Sequence, residues 1–89
     1  MNDVLGYQKT NQMKTTQNFT AIIEKEDESY VALCPELDIA SQGETIEEAK
    51  RNLHEAIELF FEFASKDEIT HRLKSKIFIT NMQVAVEYA

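Results

Sequence analysis

The sequence is short of the residues that punctuate or cross-link a chain: its 89 residues include one proline, two glycines, one cysteine and no tryptophan. A lone cysteine, Cys34, excludes a disulfide within the chain and agrees with a reducing compartment. Two glycines are too few for a loop that cradles phosphate, and no serine sits in a nucleophile-elbow context. Basic residues are scarce as well, with 9 Lys and Arg against 16 Asp and Glu, a formal net charge of -7. Such a balance repels a phosphate backbone, and no Lys/Arg cluster offsets it, so direct nucleic-acid binding is not expected. No apolar run is long enough to cross a bilayer, and the start of the chain lacks a basic segment followed by an apolar one. The expected location is cytoplasmic, without membrane association.

What is present suits one small domain: 43% of residues are hydrophobic and 28% charged. A core of this size is marginal alone, so a homo-oligomer, dimer or tetramer, is expected. Residues 1–18 are polar and unpatterned and read as a flexible leader, within which Met13 is an alternative translation start. The single domain is expected over 19–89.

From Phe19 to Glu24, Phe19, Ala21 and Ile23 fall on one face of a strand and Thr20, Ile22 and Glu24 on the other. A short charged link leads into a second strand from Tyr30 to Cys34, so the two should pair antiparallel. Pro35 stops that strand, and Glu36, Leu37 and Asp38 read as a loop. Ile39 to Gln42 alternates as a third strand until Gly43 frees the backbone. Thr45 and Glu48 then have the spacing of a capping box, which starts a helix at Ile46. Ile46, Ala49, Leu53, Ala56, Ile57, Phe60 and Ala64 recur on one face of it, and Glu48, Glu55, Glu58 and Glu62 on the opposite one. Adjacent helical positions cannot share one sheet, so Phe60, Phe61 and Phe63 require a second cover, from the chain's own end or from another copy. Residues 66–76 suggest a short helix or an irregular link. Residues 77–88 look like a last strand, with Met82, Val84, Val86 and Tyr88 alternating against Gln83, Ala85 and Glu87. The predicted fold class is α+β in the order β-β-β-α-β, with a possible extra helix before the last strand. A right-handed crossover would bring that strand back beside the first.

Little of this carries catalytic chemistry. His54 and Glu58 stand one helical turn apart, but no second pair of ligand type joins them, so an ordinary surface histidine outweighs a metal site. Cys34 reads as a small buried strand residue rather than a nucleophile. Glu26, Asp27, Glu28, Glu36 and Asp38 belong to turns, whereas a two-metal nuclease needs acids from separate elements aimed at one point. They read as solvated loop acids. The acidic helix face differs, because Glu58 and Glu62 are like charges one turn apart, at a cost of roughly 0.2–0.5 kcal/mol to an isolated helix. A solvated face explains it most simply; a docking face for a basic partner is the functional reading.

One set of features has a family likeness. An aromatic-led strand ends in Cys34, Pro35 and Glu36; a turn region runs through Ser41, Gln42 and Gly43; and Thr45, Glu47, Glu48 and Ala49 open a helix that continues with Leu53, Ala56 and Ile57. Together with the strand from Phe19 and the closing stretch through Val84 and Val86, this resembles the N-terminal domain of HicB-family antitoxins. The resemblance implies a partial RNase H-like fold. It also implies neutralisation of HicA, a small basic RNA-cleaving toxin, by a protein contact that occludes the toxin's active site. Many members carry a C-terminal DNA-binding domain of helix-turn-helix or ribbon-helix-helix type, which is not expected here.

The leading expectation is therefore a non-enzymatic antitoxin of a type II toxin-antitoxin system, or a stand-alone relative of one, with no cofactor, no metal and no catalytic residue. Its partner would be a small basic HicA-like toxin, met by the helix face bearing Glu48, Glu55, Glu58 and Glu62. The alternatives are a divergent metal-dependent nuclease of RNase H-like fold, using Glu36 or Asp38, and an orphan structural or regulatory oligomer.

Overall fold

A computed structural model of the chain describes residues 15–88, so most of the expected leader lies outside the described residues. Three strands, β1 (Ile22–Glu26), β2 (Ser29–Cys34) and β3 (Ile39–Gly43), precede two helices, α1 (Ile46–Phe63) and α2 (Lys66–Leu73). The strands form one antiparallel meander in the order β1-β2-β3. Asp27 turns the first hairpin with a left-handed φ of 54°, a conformation that a short polar side chain tolerates. Register places Ile23 opposite Ala32 and Ala32 opposite Ser41, so these residues share the face that meets α1. The other face carries Ile22, Val31, Leu33 and Ala40, none of them fully buried.

The capping box forms as its spacing predicts, with one shift. Thr45 Oγ1 accepts from the Glu48 amide at 3.0 Å, but the Glu48 carboxylate reaches past Thr45 to the amide of Glu44, at 2.6 Å. Gly43 is not there for a left-handed backbone, since no glycine among the described residues has positive φ. Its role is close approach: a Cβ at this position would lie 2.6 Å from the Ala49 nitrogen and 2.8 Å from the Glu48 carbonyl carbon. The end of β3 thus packs directly on the first turns of α1, which is why α1 lies mainly over β3 and reaches β1 least.

The buried core is small: Ala32 and Cys34 of β2, Ala49 and Leu53 of α1, and Leu37 from the loop between β2 and β3. Around it pack Phe19, Ile23, Tyr30, Ile39, Ile57, Phe60 and Phe61. The expected apolar stripe of α1 is thus present from Ala49 to Phe60, whereas Ile46 stays exposed at the first turn. Leu37 is a correction to the loop reading: Asp38 adopts φ 56°, and the turn folds Leu37 inward beneath the sheet's end.

The uncertain stretch after α1 forms a true helix. Ser65 caps it by accepting from the Glu68 amide at 3.1 Å. Arg72 then fastens it, donating from Nη1 to the carbonyls of Leu37 (2.5 Å) and Asp38 (3.4 Å), while its guanidinium carbon lies 5.1 Å from the Phe60 ring centroid.

The fourth strand does not form. Residues 75–88 carry no strand or helix, and past Ser75 none of their backbone groups bonds to another backbone group among the described residues. The expectation failed because alternation specifies which face a strand would bury but not whether an edge lies within reach. Here α2, held to the β2–β3 loop through Arg72, sets where the segment begins.

Candidate partner-binding surface

The residues proposed for docking separate in the structure. Glu48 is half-buried and committed to the cap of α1, so it leaves the set. Glu55, Glu58 and Glu62 are exposed along the C-terminal half of α1. Leu59 and Phe63 lie among them, 53% and 76% exposed, at the three- and four-residue spacings that define one helix face. The surface is therefore not simply acidic: it is an apolar pair set among three carboxylates. Helical arithmetic could have found Leu59 and Phe63, because both sit off the buried stripe and beside the glutamates.

Two physical costs fall at this end of the helix. An exposed phenylalanine leaves a large apolar area in water. Glu62 stands in the last turn, where the helix dipole is already negative and no basic residue compensates. His54 Nδ1 lies 3.5 Å from Glu58 Oε1, with both side chains well exposed, so the pair contributes little to stability. A cationic, partly apolar partner would relieve both costs together.

The turn acids behave differently from one another. Asp38 is exposed, but Glu36 is not a solvated loop acid: its carboxylate accepts from the Thr20 amide at 3.0 and 3.1 Å, from the Thr20 hydroxyl at 2.5 Å, and from the Cys34 thiol at 3.4 Å. Desolvation alone would raise the pKa of Glu36, but the hydrogen bonds from the Thr20 hydroxyl and amide together outweigh it and hold the carboxyl below its ordinary value. Burial pushes the Cys34 thiol up, and the neighbouring Glu36 carboxylate adds to the shift, which disfavours the nucleophilic thiolate. This cluster ties the lead-in to β1 to the loop after β2. Beside it lies a pocket of about 220 Å³ lined by Pro35, Asp38, His71 and Ser75, with Arg72 already engaged by the loop carbonyls. Among the described residues no group of three His, Cys, Asp or Glu side chains is placed to hold a metal ion. No helix among them is long and apolar enough to cross a membrane.

Comparison with known proteins finds relatives of one name. A UPF0150 protein of Helicobacter pylori is 39% identical over 66 residues, a match covering 73% of this chain and 92% of that protein. Two UPF0150 proteins of Synechocystis are 51% and 52% identical over 51 and 50 residues. Those matches cover 55% and 54% of this chain and 65% and 69% of the relatives. No family model and no solved structure matches the chain.

Proposed function

The chain belongs to the UPF0150 family, and for this member we propose the role of a cytoplasmic antitoxin of HicB type, which binds and neutralises a small basic RNA-cleaving toxin by protein contact. The observation that carries the reading is the stripe of Glu55, Glu58, Leu59, Glu62 and Phe63 on α1, where an apolar pair is framed by carboxylates at the negative end of a helix dipole. The net charge of -7 supports it, because complementary potentials steer a basic partner into contact. The strand-and-helix order and the residues shared with HicB N-terminal domains support the family likeness, and with it a partial RNase H-like fold for the antiparallel sheet and its covering helix.

In this reading the protein does no chemistry of its own. Phe63 and Leu59 enter an apolar recess of the toxin, and the three glutamates meet the basic residues with which that toxin would hold RNA. The nuclease alternative gains no support from its proposed acids, since the Glu36 carboxylate is occupied by Thr20 and Cys34 while Asp38 faces solvent.

The test is co-expression with any small basic protein encoded beside this gene, in cells whose growth that protein arrests. Growth should recover with the natural chain. It should fail to recover with the triple variant Glu55→Lys, Glu58→Lys, Glu62→Lys, while the purified variant keeps its helical circular dichroism. Full rescue by that variant would remove this face from the proposal, and no rescue by the natural chain would remove the antitoxin role.

A further inference from the structure

We propose that residues 77–88 form a fourth strand in the sheet of a second copy of this chain, added along β1, so that two copies exchange their ends reciprocally. The segment has the chemistry of a strand without the partner of one. Met82, Val84, Val86 and Tyr88 recur at a period of two and, with Phe78 before them, are between 63% and 88% exposed. Past Ser75 its backbone donors and acceptors have no backbone partner among the described residues. An extended chain with one apolar side and an unpaired ladder is a template for pairing.

The two edges of the sheet are not equivalent. At β3, Asn52 of α1 already donates to the Gln42 carbonyl at 2.8 Å, and Gly43 is pressed against the first turns of α1. Among the described residues the edge at β1 has neither obstruction, and α1 reaches this strand least. A strand laid along it with its apolar side toward the helix layer extends the cover begun by Phe19, whose ring centroid is 6.0 Å from that of Phe61.

Two features select a second copy as the occupant. Arg72 anchors α2 at the β2–β3 loop, and past Ser75 the segment makes no backbone hydrogen bond to its own sheet, so an exchanged strand breaks no pairing of the body. Charge agrees: although the chain carries a net -7, residues 77–88 contain Glu87 as their one charged side chain, and the β1 edge alternates Glu24, Lys25 and Glu26. The segment therefore brings only one negative charge to a meeting of two acidic copies. Reciprocal exchange closes under two-fold symmetry and leaves no unpaired copy of the strand.

The inference is independent of the antitoxin reading, and its test contains no toxin. Light scattering on the full chain should give twice the monomer mass. The variant Val84→Glu, Val86→Glu should halve that mass while its far-ultraviolet circular dichroism stays that of a folded domain. In a dimer assembled from ¹³C-labelled and unlabelled natural chains, filtered nuclear Overhauser spectra should connect the methyls of Val84 and Val86 to those of Ile23 across copies, a measurement that needs no variant to fold. A monomeric natural chain overturns the proposal, as does a dimer whose mass survives the double variant or whose cross-copy signals arise elsewhere.

Discussion

Two stretches of this chain are built from residues that suit a strand, and they meet opposite fates. In the body, β2 lies between two hydrogen-bonded neighbours and buries Ala32 and Cys34 completely under α1. Over 82–88 the apolar residues recur at a period of two, yet Met82, Val84 and Val86 remain in water. The difference is not one of local propensity, since β-branched and aromatic residues serve both. What separates them is pairing: short turns deliver β2 between its neighbours, whereas residues 77–88 follow a helix pinned by Arg72 and join no ladder.

The sharpest way to probe this comparison is to truncate one apolar side chain in each region. Leu53→Ala opens a cavity beneath Leu37 and Ala32, so it should cost about 2–5 kcal/mol in denaturant unfolding. Met82→Ala at the exposed segment should change the unfolding free energy of a monomer by less than about 0.5 kcal/mol. Comparable losses at the two sites would mean that Met82 is buried in the protein's working state, which is the outcome the exchanged dimer predicts above its dissociation concentration.

A smaller effect tests how tightly the body is assembled. Gly43→Ala places a methyl within 2.6 Å of the Ala49 nitrogen, where backbone cannot yield cheaply, and should destabilise by about 1–3 kcal/mol. A neutral result in the same melt would show that β3 and α1 are free to separate.

The smallest expected effect is a pH dependence of the body that 77–88 does not share. The pKa of Glu36 is held below its ordinary value of 4.5 in the fold. Its contribution to stability is therefore present above its unfolded pKa and is lost as pH falls through the lower, folded one. The natural chain should lose stability on acidification more steeply than Glu36→Gln, and parallel curves would mean that the Thr20 contacts do not favour the ionised form.

Legibility followed the range of the forces involved. The start of α1 at Ile46 could be read because Thr45, Glu44 and Glu48 are neighbours in sequence and satisfy one another's backbone groups. The burial of Ala49, Leu53 and Cys34 could be read because period and residue type act locally. Leu37 could not, since it is buried by a left-handed turn at Asp38 together with packing from α1. Nor could Glu36, whose partner Thr20 stands 16 positions earlier, or Arg72, whose carbonyl partner stands 35 positions earlier. At the candidate surface, Glu55, Glu58 and Glu62 were legible as a face, and the cap spacing that commits Glu48 and the helical spacing that leaves Phe63 off the buried stripe could both have been read there too.

The sequence by itself determined that three strands precede the principal helix, where that helix starts, the identity of most of the core and the negative charge, because each depends on residues close along the chain or on composition. The first strand, expected from Phe19 to Glu24, runs instead over Ile22–Glu26. Only the tertiary structure decided that Leu37 turns inward, that Arg72 locks α2 onto the β2–β3 loop, and that residues 77–88 do not pair with their own sheet. Those outcomes rest on where distant groups come to lie, and the partner of an unpaired hydrogen bond or of a guanidinium is chosen by position in space rather than by order in the chain.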